Sequence, residues 1–195
     1  MVLCVDEKTG LRPRPRESPT LAAQPRRPVR VEHGYGRCGA LNLFAAFDTR
    51  SGKVYGRTAE RKRQVEFIAF LEQQDREIPA TIKMIQMVLD NPRMHKGKQV
   101  QAWLAQHPRF VSHHPPVHCS WMDQVEQWFS ILQRERLRIA DFADKASLAE
   151  RSQAYIREWN QVAHPFNWST KSVAKIMAKC RVTEVPSEDK QPVAA

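Results

Sequence analysis

No stretch of this 195-residue chain approaches the roughly 18 consecutive apolar residues that a membrane helix needs, so a helical membrane-spanning protein is excluded. The opening MVLCVDEKTG has neither the basic leading segment nor the apolar length of a secretory signal, and a cytoplasmic protein is expected. Cysteine is scarce. Cys4, Cys38, Cys119 and Cys180 lie far apart with no Cys-x-x-Cys pair, which indicates neither a disulfide framework nor a zinc knuckle. Acid is also in short supply, with 21 Asp and Glu against 31 Lys and Arg, a formal charge of +10 and a pI near 9.8. That balance favours a polyanionic partner, nucleic acid first, through counterion release. The length suits one domain with appendages.

The residues present order themselves into alternating elements. MVLCV is continuously apolar and then meets Asp6 and Glu7, which reads as a buried strand with Asp6 at its end. Between Lys8 and Arg37 stand five prolines and eight basic residues against Glu17 and Glu32, an excess of six positive charges. Repeated proline prevents helix and interior strand there, so an extended cationic excursion is expected. LNLFAAF (41–47), a Ser-Gly turn and KVYGR read as a β-hairpin. Residues 58–78 carry Val65, Ile68, Ala69 and Leu71 at helical spacing and stop before Pro79. IKMIQMVLDN (82–91) is an apolar strand running into an acid, and 96–107 follow as a helix. A short strand at 109–113 precedes Pro115-Pro116. Ser120 then opens a helix to about Arg138 with Val125, Trp128, Phe129 and Leu132 at i, i+3, i+4 and i+7. Helices at 147–161 and 169–179 flank a turn at 164–168, and 181–195 read as a disordered tail. This order is α/β with a mixed sheet.

Three carboxylates stand out. Asp6 ends the first strand, Asp90 ends the fourth, and Glu126 lies one turn into the amphipathic helix. Neighbouring strands bring two such acids together, where they repel unless neutralised, and paired Mg²⁺ ions are the usual neutraliser in phosphoryl-transfer sites.

With these residues in view, VLCVDEKTG, GALNLFAAFDTRSGKVYG, VLDNPRMHK, SWMDQVEQWFSIL and HPFNWSTKS, in that order, resemble the catalytic domain of bacterial transposases of the insertion sequence 630 family, within the Tc/mariner superfamily. The resemblance spans residues 1–180, with 9–37 as a Pro/Arg-rich basic insertion. It implies an RNase H-like fold, a mixed central sheet flanked by helices. It further implies a triad, Asp6, Asp90 and Glu126, that holds two Mg²⁺ or Mn²⁺ ions, cuts transposon ends and joins their 3′-hydroxyls to target DNA, with TA preferred. A homodimer on DNA is the implied assembly. Relatives also carry an N-terminal helix-turn-helix part that reads the ends. Since this chain starts almost at the first catalytic strand, either a companion reading frame supplies that part or the chain is an inactive, truncated remnant that binds nucleic acid non-specifically.

Two departures from the family pattern bear on the site. Asp123 stands where the family usually has Asn, and at i, i+3 from Glu126 it shares a helix face and is an accessory metal-ligand candidate. Pro92-Arg93 replaces the usual small or aromatic residues after Asp90. His95 and Lys96 match the family's His-Lys. His95 reads as a phosphate contact, an orienter of a carboxylate, or a surface histidine at a helix start. Arg12, Arg14, Arg26 and Arg27 in the excursion, with His95 and Lys96, are the candidate DNA-binding residues. The runs Arg61-Lys62-Arg63 and Arg134, Arg136, Arg138 read either as phosphate contacts or as solvated faces. Two other patterns are set aside. Gly34-Tyr35-Gly36-Arg37-Cys38-Gly39 precedes a strand, the reverse of a dinucleotide-binding context. His113, His114, His118 and Cys119 lack a second ligand pair for zinc. An RNase H-like nuclease on RNA–DNA hybrids shares the fold and ions, and the HPFNWSTKS block disfavours it.

Overall fold

The computed structural model describes residues 1–15, 17–18, 21–29, 34, 36, 38–89, 94–114, 124–138 and 142–167. The chain groups into Met1–Pro165 and Phe166–Ala195, and of the second group only 166–167 are described. The expected helix 169–179 and tail 181–195 lie outside the described residues, as do Asp90, the loop departure Pro92-Arg93, the Ser120 cap and Asp123.

Among the described residues five strands form one sheet: β1 (Val2–Leu11), β2 (Leu41–Asp48), β3 (Val54–Ala59), β4 (Ile85–Leu89) and β5 (Phe110–His113). The order is β3-β2-β1-β4-β5, antiparallel on the β2 and β3 side and parallel on the β4 and β5 side. The central position of β1 and β2 accounts for their nearly unbroken apolar runs, because both faces of each strand are covered. The hairpin between β2 and β3 turns where expected, closed by Asp48 N–H donating to Lys53 C=O at 2.8 Å, with Gly52 at φ +75°.

Among the described residues four helices cover the sheet: α1 (Gln64–Glu77), α2 (Lys98–Gln106), α3 (Gln124–Leu132) and α4 (Lys145–Gln161). Side chains alternate along β1. Leu3 and Val5 join Phe44, Phe67 and Trp103 in a core beneath α1 and α2, where the Phe44, Phe67 and Phe70 rings lie 5.8–6.3 Å apart. The other face, which carries Cys4, Asp6 and Lys8, is packed by α3 and α4. An aromatic row joins those two helices, with Trp128 6.0 Å from Tyr155 and Tyr155 6.5 Å from Trp159. The buried stripe of α3 is Val125, Trp128, Phe129 and Leu132, as its spacing predicts. The helix then widens into one π turn, Gln133–Leu137.

Three sequence expectations change. Asp6 does not end its strand. It sits inside β1 opposite Ala45, because the backbone goes on pairing after the apolar run stops, through Leu11. The cationic excursion therefore begins as strand. Within it, Gln24 and Arg27 exchange backbone hydrogen bonds around Pro25 and Arg26, and Arg26 has φ +62°, the pattern of a type II turn. Finally, α1 starts at Gln64 and buries Phe67, Phe70, Leu71 and Gln74, whereas Val65 is 58% exposed. Residues 67, 70, 71 and 74 form the true i, i+3, i+4, i+7 ridge.

Among the described residues the outer edge of β3 has no neighbouring strand, and α4 closes it instead. Asn160 Oδ1 accepts from Val54 N–H and its Nδ2 donates to Val54 C=O, both at 2.8 Å, so one amide imitates a strand. Gln153 and Gln73 both donate to Gly56 C=O. The helix starts at Asp144, whose carboxylate accepts from Ser147 N–H at 2.8 Å.

Candidate active site

Asp6 is half-buried at the middle of the central strand, on the face covered by α3. On the parallel side, Val5 is in register with Leu89, and the next residue in each chain segment is an aspartate, Asp6 in one and Asp90 in the other. Asp90 itself lies outside the described residues. Glu126 occupies the first turn of α3 and is exposed, beside the fully buried Val125. A carboxylate there is favoured by the helix dipole. The packing stripe of α3 against β1 and β2 fixes the helix, so Glu126 is presented by a rigid element. Among the described residues no group of three or more His, Cys, Asp or Glu is arranged to hold a metal ion. Asp6 and Glu126 bring hard carboxylate oxygens, the donor type that Mg²⁺ and Mn²⁺ take.

Two residues beyond Asp6 on the same face, Lys8 opens a cleft whose walls also include Arg12, Arg14, Gln133 and Arg138. None of its described lining residues is acidic, and Leu11 and Phe142 also line it. Burial of about half of Lys8 lowers its pKa from the usual lysine value. Lys8 was not singled out in the sequence. The signal for it is its period-2 relation to Asp6 on a strand longer than the apolar run.

The remaining predicted residues are distributed as follows. Arg26 and Arg27 stand exposed at the tip of the excursion, and Lys96 is exposed just before α2. His95 is not at the surface. Its side chain is fully buried, with Nε2 donating to Glu7 Oε1 at 2.6 Å and its ring 4.5 Å from Phe67. This overturns the surface-histidine and phosphate-contact readings and leaves the carboxylate-orienting one, toward a glutamate that the sequence did not flag. Of the run 61–63, Lys62 pairs with Glu7 at 3.4 Å and Arg63 with Glu66 at 2.5 Å, so two of three cations are already engaged. Arg136 pairs with Glu158 at 2.9 Å and covers the Tyr155 ring. Burial, and then the hydrogen bond to Glu135 at 2.8 Å, raise the Tyr155 pKa well above the usual phenol value.

This fold has known counterparts. The chain is similar to the insertion element IS630 uncharacterized 39 kDa protein of Shigella sonnei, 26% identical over 137 residues, which are 69% of this chain and 38% of that protein. The chain thus spans well under half the length of that relative. Among solved structures it resembles the catalytic domain of Mos1 mariner transposase, with a TM-score of 0.53 and 13% identity over 84% of this chain and 71% of that one. It resembles the Mos1 mariner paired end complex with Mn, at 0.52 and 15% over 83% and 48%. A third is the intasome of simian T-cell lymphotropic virus in complex with PP2A regulatory subunit B56 gamma, at 0.56 and 12% over 100% and 58%. At these identities the likeness is one of fold alone, an RNase H-like mixed sheet flanked by helices. The match that reaches family level runs over residues 1–149, from β1 into α4, and on it this chain belongs to the DDE superfamily endonuclease family.

Proposed function

We propose that this chain is the catalytic domain, residues 1–180, of a DNA transposase of the insertion sequence 630 type, performing metal-dependent phosphodiester hydrolysis and strand transfer. The observation that carries the reading is the placement of Asp6 on the central strand. Its preceding residue is paired with the residue before Asp90, and Glu126 stands on a helix packed over the same face. In this reading Asp6 and Asp90 share the metals and Glu126 holds one of them, with Asp123 as an accessory. Two Mg²⁺ or Mn²⁺ ions there supply activation of a water or 3′-hydroxyl and stabilisation of the leaving oxygen. The protein's part is to hold the carboxylates on rigid elements and to seat the DNA.

The seat is the cleft beside Lys8. Arg12, Arg14 and Arg138 line it, with no acid among its described lining residues, on the face that carries Asp6, so a phosphodiester backbone there runs toward the triad. Arg26, Arg27 and Lys96 extend the basic surface. DNA ends and a TA-containing target are the substrates, and a homodimer on DNA is the assembly. Binding by this chain alone is weak, indifferent to sequence and salt-sensitive. Each phosphate contact contributes a slope of about −0.9 in log K against log salt.

The test is Mn²⁺-dependent nicking of plasmid DNA and joining of pre-cut ends. Nicking by the parent that is lost in Glu126→Gln, with DNA affinity kept, supports the enzyme. DNA binding without metal-dependent nicking in either protein supports the remnant reading. Cleavage confined to RNA–DNA hybrids, with no joining, supports the hybrid nuclease.

A further inference from the structure

Behind the triad, on the opposite face of β1, lies a buried polar cluster that the proposed chemistry does not use. Glu7 follows Asp6 and, by strand alternation, points beneath α1. Its side chain and that of His95 are 1% and 0% exposed, they meet at 2.6 Å, and 88 positions of chain separate them. Lys62 Nζ approaches the second oxygen of Glu7 at 3.4 Å, an ion-pair distance without hydrogen-bond geometry. Sealing a carboxylate and an imidazole inside a core is costly unless each partner is held in place, and an apolar pair of similar volume would pack there at no such cost.

The location of the pair gives it a role. Val5 and Glu7 are the two neighbours of Asp6. Val5 is in register with Leu89, the last residue before Asp90, and Glu7 binds His95, five residues after Asp90. Both flanks of the segment that carries the second aspartate are therefore fastened to β1, one on either side of the first. The far flank is secured again just beyond His95. Gln99 N–H donates to Gln64 Oε1 at 3.2 Å, and Gly97 lets the start of α2 lie against Gln64, where a Cβ would come within 2.0 Å of that side chain.

We propose that the Glu7–His95 pair is a positioning device. It sets the place of Asp90 relative to Asp6 and so the separation at which the two carboxylates share metal. This rests on the reading of Asp6, Asp90 and Glu126 as metal ligands. In it Glu7 and His95, buried on the face opposite Asp6, are positioning residues and not ligands.

The test is calorimetric titration of Mn²⁺ into the purified chain and its variants, with thermal unfolding measured alongside. His95→Ala is expected to lower Mn²⁺ affinity about 10–100-fold, the range for groups that orient metal ligands. His95→Gln, whose amide still donates to Glu7, recovers most of that loss. Glu7→Gln, which keeps the shape and weakens the bond, gives an intermediate loss and serves if His95→Ala fails to fold. Asn160→Ala, at the far β3 edge, destabilises the fold and leaves Mn²⁺ affinity at the parent value. The proposal is overturned if His95→Ala binds Mn²⁺ within about twofold of the parent, or if Asn160→Ala loses affinity to the same extent. A parent that binds no Mn²⁺, or an Asp6→Asn variant that binds as the parent does, overturns the metal-site reading and the positioning role with it.

Discussion

Replacing Asn160 by alanine removes one side chain and exposes the weak point of the sheet. Val54 is 1% exposed, and its N–H and C=O each make a 2.8 Å hydrogen bond to the Asn160 amide. Among the described residues no neighbouring strand takes them over, because β3 is the outer strand of the sheet. A buried backbone group left without a partner costs about 1–3 kcal/mol. Two such groups at a sheet edge, where solvent gains some access once the amide is gone, give a loss of about 2–4 kcal/mol. For a domain of this size, 1 kcal/mol moves the unfolding midpoint by about 2–4 °C, so a drop of about 5–15 °C is expected. Urea unfolding followed by tryptophan fluorescence measures the loss, with Trp159 close by as a reporter. Asn160→Asp keeps the acceptor for Val54 N–H and sets a second acceptor against Val54 C=O, so its loss at neutral pH is at least as large. A loss below about 0.5 kcal/mol in Asn160→Ala would refute the claim that α4 completes the sheet through this residue.

Other perturbations address different parts of the fold. Gln74 is fully buried in the α1 core with neither amide atom hydrogen-bonded among the described residues, so Gln74→Leu is expected to stabilise by about 1–2 kcal/mol, read as a higher urea midpoint with unchanged slope. Gly52 has φ +75° and a Cβ there would lie 2.1 Å from the His164 carbonyl oxygen, so Gly52→Ala is expected to destabilise by more than ~2 kcal/mol, and a neutral result in thermal unfolding would contradict the packing. Hydrogen bonds from Lys145, Arg63 and Arg136 lower the pKa values of Glu60, Glu66 and Glu158, and the Ser147 backbone N–H lowers that of Asp144. Carboxylates with folded pKa values below their unfolded ones add stability that is present above the unfolded value, near 4, and is lost as pH falls through the folded value. The urea midpoint should therefore fall below about pH 4.5, with the ion-paired share suppressed by salt and the Asp144 share retained, and a midpoint flat from about pH 6 to 3 would exclude it.

Where local pattern determined local structure, the sequence was readable. The hairpin at Gly52, the apolar strand before Asp90 and the stripe Val125, Trp128, Phe129, Leu132 follow from turn chemistry and periodicity alone. The length of β1 does not, since pairing with β2 rather than its own polar residues carries it past Asp6 to Leu11. The buried face of α1 is offset from its apolar pattern because Gln74, a polar residue, completes the ridge in place of an apolar one. Glu7 and His95 meet across 88 positions, and Asn160 meets Val54 across 106, distances over which no periodicity operates. An acid beside Asp6 on a buried strand was the one available hint, because alternation sends it into the opposite core, where it must find a partner. The carboxylates of the candidate site were legible as residues, and only the register of β1 against β4 explains why Asp6 and Asp90 follow paired neighbours.

The central claim is that Asp6, Asp90 and Glu126 act as one metal site. Calorimetric titration of Mn²⁺ into the parent, Asp6→Asn, Asp90→Asn and Glu126→Gln tests it most directly, since no DNA is required. The account predicts saturable binding by the parent and its loss in both aspartate variants, with a weakened isotherm in Glu126→Gln. A folded parent that binds no Mn²⁺, or aspartate variants that bind it as tightly as the parent, would contradict it.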